Sequence, residues 1–120
     1  MTRFRIAFLA ALGALVVVSA AGAMAIPRLN GTVTSAFTIG LKNAKGLKVT
    51  TLKRGKYTFV VKDTATTHNF TLDGPGFEDK VISPTAFTGT KTVTLTLKKG
   101  SYKFYCTIHP TLKGNFKVVA

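Results

Sequence analysis

Near its C-terminus the chain reads Tyr105-Cys106-Thr107-Ile108-His109-Pro110-Thr111-Leu112-Lys113-Gly114. Cys106 is the only cysteine, and His68 and His109 are the only histidines. A thiolate with two imidazoles is the ligand set of an electron-transfer copper site, completed at most by a weak axial ligand. Cys106 and His109 are three apart at the end of an apolar run, so a short turn can aim both at one ion. His68 must then arrive from elsewhere in the fold. Taken singly, these residues have plainer readings: His68 as a packed or solvated side chain, Cys106 as a small buried apolar residue. Taken together they predict a metal site. A thiol enzyme fits less well, because Cys–His catalysis needs the imidazole within hydrogen-bond reach of the sulfur, and no acidic or amide orienter stands near His109. Hydrolytic zinc would need an open, water-filled position, which Leu112 opposes.

The elements that must position these ligands read as strands. Ser35–Leu41 alternates Phe37 and Ile39 with smaller residues, and Leu47–Leu52 places Leu47, Val49 and Thr51 on one side. Tyr57, Phe59 and Val61 alternate with Thr58, Val60 and Lys62; Val93, Leu95 and Leu97 alternate with threonines. Asn69–Leu72 follows His68, and Phe116 and Val118 share a face in the final run. Such period-two patterning, rich in Val, Thr, Tyr and Phe, is the strand signal. Arg28–Ser35, with Asn30-Gly31, reads as a polar lead-in loop. Arg54-Gly55, Asp73-Gly74-Pro75-Gly76, Ser83-Pro84, Thr88-Gly89 and Lys99-Gly100 mark turns. The spacing at Lys98-Lys99-Gly100-Ser101 suggests a tight hairpin. No amphipathic helix of three turns is evident after residue 25. The expected fold is an all-β, antiparallel Greek-key sandwich of seven to eight strands.

Parity matters at the cysteine. If Tyr102 and Phe104 point into the core, Cys106 does too. His109 follows the strand, and Pro110 biases it toward extended backbone. Gly114 allows a turn into the last strand. The ligand loop is therefore short and stiff, as a redox site with nearly stationary ligands requires.

Three stretches resemble the cupredoxins, small blue copper proteins of the plastocyanin and pseudoazurin kind. They are Gly55-Lys56-Tyr57-Thr58-Phe59-Val60-Val61-Lys62-Asp63, His68-Asn69-Phe70, and Gly100-Ser101-Tyr102-Lys103-Phe104-Tyr105-Cys106-Thr107-Ile108-His109-Pro110. The resemblance implies one copper ion per chain, held by His68, Cys106 and His109. It also implies that Asn69 ties the two ligand loops together by hydrogen bonding. The chain departs from the pattern at the axial position, where similar sequences carry Met three residues after the second His and this one has Leu112. Met1 and Met24 are the only methionines and glutamine is absent. The copper would thus be three-coordinate, or would meet a distant backbone carbonyl such as that of Thr67. The implied function is one-electron transfer between redox partners, without enzymatic activity. The alternative is a protein that stores, senses or delivers copper; the absence of Met-rich tracts speaks against it. A metal-free adhesive sandwich would leave Cys106 unexplained.

Residues 1–25 read as an export signal: Arg3 and Arg5 begin it, Ile6–Ala21 is almost wholly apolar, and Ala23-Met24-Ala25 is a small-x-small cleavage site. A retained membrane anchor is the rival reading, because no charge occurs between Arg5 and Arg28 and a span needs ~20 apolar residues. Cleavage leaves one domain, residues 26–120, expected outside the cytoplasm, as periplasmic, cell-surface or secreted protein. An exported chain with one cysteine has no internal disulfide, so its thiol must be buried, paired with another chain or liganding something. Without Arg3 and Arg5 the chain has fifteen basic and four acidic residues, a net of +11. That excess suits an acidic redox partner or an anionic membrane surface, or serves solubility alone. Nucleic acid is not expected, since the lysines are scattered and no phosphate-binding glycine loop occurs. A monomer is expected.

Overall fold

The computed structural model describes residues 25–120. The export-signal reading therefore lies outside the described residues, apart from Ala25. Nine strands form two sheets, and no helix occurs among the described residues. The first sheet has the order β2-β1-β4-β7, built from β1 (Arg28–Thr34), β2 (Thr38–Asn43), β4 (Gly55–Asp63) and β7 (Gly89–Leu97). The second has the order β3-β9-β8-β5-β6, built from β3 (Thr51–Lys53), β5 (Phe70–Gly74), β6 (Phe77–Ser83), β8 (Gly100–Tyr105) and β9 (Lys113–Val119).

The sandwich expectation holds with two amendments. There are nine strands, and the sheets are mixed: β1 runs parallel to β4, and β3 parallel to β9. Both parallel pairs join strands from distant parts of the chain, which local alternation does not reveal.

Local expectations changed in four places. Arg28–Thr34 is a strand because Leu29, Gly31 and Val33 alternate inward and are buried. Gly31 is required there by close packing, not by a turn: a Cβ would lie 2.9 Å from Val61 Cγ2 and 3.1 Å from Phe70 Cε2. Phe37 leaves the strand for the turn before β2, with a positive φ of 57°. Of Leu47–Leu52, only Thr51 and Leu52 join a strand, β3, while Lys48 makes an isolated bridge to Lys42 and Leu47 is exposed. Finally, Lys98-Lys99 does not close a hairpin. It carries the chain from β7 in one sheet to β8 in the other.

The core fills the space between the sheets. Leu29, Val33, Phe59, Val61, Leu95 and Leu97 come from one side, and Phe70, Leu72, Tyr102, Phe104, Phe116 and Val118 from the other. Phe70 stacks on Phe104 with centroids 5.6 Å apart, and Tyr102 on Phe116 at 5.1 Å. Burying each such ring contributes about 1.5–3 kcal/mol relative to exposure. The parity expectation holds: Tyr102, Phe104 and Cys106 are all buried. Gly114 lies against the Phe104 ring where any Cβ would collide, so β9 can pair closely beside the strand leading to the cysteine. Among the described residues, the core runs from Leu29 to Val118 and is shared by both sheets.

Candidate metal centre

All three soft ligands meet at one end of the sandwich. Cys106 follows β8, His109 lies three residues further on, and His68 stands just before β5. The segment leading to His68 is fastened at its start. Thr64 N–H donates to the Val33 carbonyl at 3.0 Å, and Asp63 Oδ1 accepts from Ala65 N–H at 2.9 Å. The loop carrying the other two ligands is also tied. Cys106 N–H donates to the Leu112 carbonyl at 3.0 Å, and Leu112 N–H to the His109 carbonyl at 2.9 Å. These bonds turn the chain back within seven residues, so Cys106 and His109 face the same point.

The ligand atoms of His68, Cys106 and His109 lie within 4.8 Å of one another. His68 Nδ1 is 3.8 Å from Cys106 Sγ and 3.0 Å from His109 Nδ1. A metal bonded at about 2.0 Å to nitrogen and about 2.3 Å to sulfur, at trigonal angles, separates a nitrogen from the sulfur by roughly 3.7 Å and the two nitrogens by roughly 3.5 Å. The observed nitrogen–sulfur spacing of 3.8 Å matches, while the two imidazoles stand closer, at 3.0 Å, and would part slightly around one ion. The facing Nδ1 atoms are satisfied either by one donating to the other or by a cation shared between them. Asn69 N–H points at Cys106 Sγ from 3.4 Å, a donor placed to favour a thiolate. Cys106 and His68 are fully buried, whereas His109 is half-buried and reaches the surface. His68 Nε2 is buried and has no hydrogen-bond partner among the described residues. The donor set therefore fits one soft-to-borderline ion held by one sulfur and two nitrogens, which is the equatorial set of an electron-transfer copper site.

Asn69 joins the two ligand segments with its side chain. Nδ2 donates to Thr107 Oγ1 at 2.7 Å and Thr85 Oγ1 at 3.1 Å, while Oδ1 accepts from Thr107 N–H at 3.0 Å and Thr71 Oγ1 at 2.9 Å. Both ends of the amide are used, so His68 and Cys106 are locked together through their sequence neighbours. Asn69→Ala should lower unfolding stability by about 3 kcal/mol, because it leaves several partly buried donors and acceptors unpaired. Asn69→Asp should recover part of that loss by keeping the Oδ1 contacts. Urea denaturation of the metal-free protein measures both, and a change within 0.5 kcal/mol, the usual size for a surface substitution, would show that the latch carries no load.

Sequence reasoning missed two components. One is the threonine set around Asn69, Thr71, Thr85 and Thr107, which is brought together only by tertiary contact. The other is Phe37. Its ring meets His68 edge-on at 4.7 Å and His109 at 5.4 Å, while the residue remains 62% exposed. A bulky residue with left-handed backbone costs roughly 1–2 kcal/mol, so the contact is held against a local penalty. Phe37 covers the two imidazoles from the β1–β2 turn. Leu112 is half-buried and packs against the core.

No protein-family model matches this chain, and no match is found among curated proteins. Among solved structures, the copper protein rusticyanin superposes with a TM-score of 0.50 and 18% identity, covering 77% of this chain and 76% of its own. The fold is that of the cupredoxins. Reduced rusticyanin gives the same TM-score of 0.50 at 18% identity, over 77% of this chain and 78% of that one. Reduced auracyanin from the photosynthetic bacterium Roseiflexus castenholzii superposes at 0.49 with 20% identity, over 81% of this chain and 100% of its own. Within the cupredoxin fold, the His-Cys-His cluster lies at the sandwich end formed by the β8–β9 loop and the start of β5.

Proposed function

We propose that this protein is an exported one-electron carrier that binds a single copper ion through His68, Cys106 and His109. The convergence of Cys106 Sγ with the two imidazole Nδ1 atoms carries this reading. Bound copper would supply reversible cycling between Cu(II) and Cu(I). The protein's part is to hold the three ligands still, exclude water and leave one ligand at the surface. The Asn69 latch and the two backbone bonds of the 106–112 loop do the first. Burial of Cys106 and His68 does the second. His109 does the third, within a rim that includes the exposed Phe37 and Ile108 and the half-buried Leu112. A redox partner would dock on this rim as on a flat apolar contact, with His109 nearest to it. Lys62, Lys91 and Lys113 stand on strands at this end, where they would favour an acidic partner. Leu112 takes the axial place in this reading, without coordinating.

Storage, sensing or delivery of copper would call for a site that opens to release its ion. The rigid ties around these ligands favour a carrier. The chain loaded with one equivalent of Cu(II) should develop intense visible colour, bleach with one electron equivalent of reductant, and recover on reoxidation with the metal retained. Exchange with an acidic redox protein should slow as salt rises. Loss of copper on reduction would instead identify a delivery or storage protein, and a salt-independent rate would remove the acidic partner.

A further inference from the structure

The basic residues are not spread evenly over the molecule. Three connections at the end opposite the metal ligands, with the strand ends that flank them, carry Lys45, Lys53, Arg54, Lys56, Lys98 and Lys99, all of them exposed. These connections link β2 to β3, β3 to β4, and β7 to β8. The strand register places them at one pole, since Gly55 pairs with Leu97 there, while Asp63 pairs with Gly89 at the metal end. The nearest acidic residues, Asp73 and Glu78, flank the fourth turn of this pole, between β5 and β6. Nine residues of β4 separate the two ends by about 26 Å at ~3.3 Å per step. A partner docked at His109 would scarcely feel this charge directly, because the separation exceeds the screening length of ~8–10 Å.

A second observation concerns where the chain enters the domain. Ala25, Ile26 and Pro27 line one shallow groove with Arg54, Gly55, Lys56 and Tyr57, and Thr58 N–H donates to the Pro27 carbonyl at 2.9 Å. The apolar run Ile6–Ala21 therefore precedes a chain that joins the domain at its basic pole. The described chain thus enters the domain at its basic pole and not at the metal end.

We propose that the basic pole is a docking surface for the anionic headgroups of a phospholipid membrane. Clustered Lys and Arg beside a membrane bind anionic lipid additively, and the effect fades within a Debye length. Seated in this way, the domain stands with its strands away from the bilayer and presents His109 to partners on the far side. The two ends then divide the work: lipid at one, electron exchange at the other. The lipid contact needs no metal in the site; only the role given to the far end rests on the copper reading.

The test uses the metal-free domain, residues 25–120, which contains every strand and core residue among the described residues. Its binding is measured by co-sedimentation with vesicles of phosphatidylcholine, with and without phosphatidylglycerol. Two triple variants carry the same change in net charge: Arg54→Glu, Lys56→Glu and Lys98→Glu at the pole, and Lys62→Glu, Lys91→Glu and Lys113→Glu at the metal end. The wild-type domain should bind only the phosphatidylglycerol vesicles, and less as salt rises. The pole variant should lose more than about tenfold in affinity, while the metal-end variant loses less than about twofold. Far-ultraviolet circular dichroism confirms that both variants are folded, and a misfolded triple is replaced by its single substitutions. Equal losses in both variants would reduce the effect to net charge and overturn the proposal. Indifference to phosphatidylglycerol combined with retention on heparin would also overturn it, in favour of a soluble anionic polymer.

Discussion

Replacing Cys106 by serine should remove the intense visible absorption of the copper-loaded protein and weaken copper binding by at least ~100-fold, as judged against the 10–100-fold losses caused by outer-sphere changes alone. The colour of such a site comes from charge transfer out of a thiolate. A serine hydroxyl stays protonated near neutrality and offers the metal only a poor oxygen donor. The surroundings amplify the loss. Cys106 is fully buried, and Asn69 N–H is aimed at its sulfur, a contact that favours the anionic form a metal requires. Serine keeps the same number of side-chain atoms, with oxygen in place of the larger sulfur, so the Asn69 latch and the loop bonds should survive, and thermal unfolding of the metal-free variant should stay close to wild type. Titration with Cu(II) followed by visible absorption separates these effects. A variant that remains blue would remove Cys106 from the ligand set. By contrast, His109→Ala should open the half-buried side of the site to water and alter the colour without abolishing binding.

The cluster of His68, Cys106 and His109 was legible because its residue types are scarce. With one cysteine and two histidines in the chain, a shared site needed only a fold that closes the distance. Alternation through Tyr102, Phe104 and Cys106 gave the correct inward direction, and the burial of all three follows from it. Pro110 and the short 106–112 loop announced a stiff turn. The strand lost at Arg28–Thr34 was hidden by Asn30-Gly31, a turn signal that close packing on Val61 and Phe70 overrides. Phe37 was hidden differently. It alternates with Ile39, as a strand residue should, yet the turn demands left-handed backbone at that position and aromatic contact with both imidazoles is what remains to be gained. The Lys98-Lys99 link shows the same limit: two residues are as suitable for crossing between sheets as for a hairpin, and only the partners of β7 and β8 decide. Parallel pairing of β1 with β4 and of β3 with β9 depends on contacts far apart in sequence.

Leu112→Met should lower the reduction potential of the copper-loaded protein. Leu112 stands three residues after His109, its backbone closes the ligand loop on both sides, and no methionine or glutamine occurs after Met24. In the reading proposed above, its side chain occupies the axial direction and gives the metal no electron density. A thioether there would donate weakly, and in these sites the axial ligand tunes the potential. Donation favours Cu(II) over Cu(I), so the shift is downward. For one electron, 59 mV is a tenfold change in the equilibrium, so even a ~60 mV drop corresponds to about 1.4 kcal/mol of differential stabilisation. Leu-to-Met exchange nearly conserves volume and usually costs less than about 1.5 kcal/mol in a packed site, so the fold and the three equatorial ligands should be undisturbed. Film or solution voltammetry of the two proteins, with the visible band recorded in parallel, reads the effect directly. An unchanged or higher potential would mean that residue 112 does not face the metal, and the axial direction would then belong to backbone, with the Thr67 carbonyl as the first position to examine.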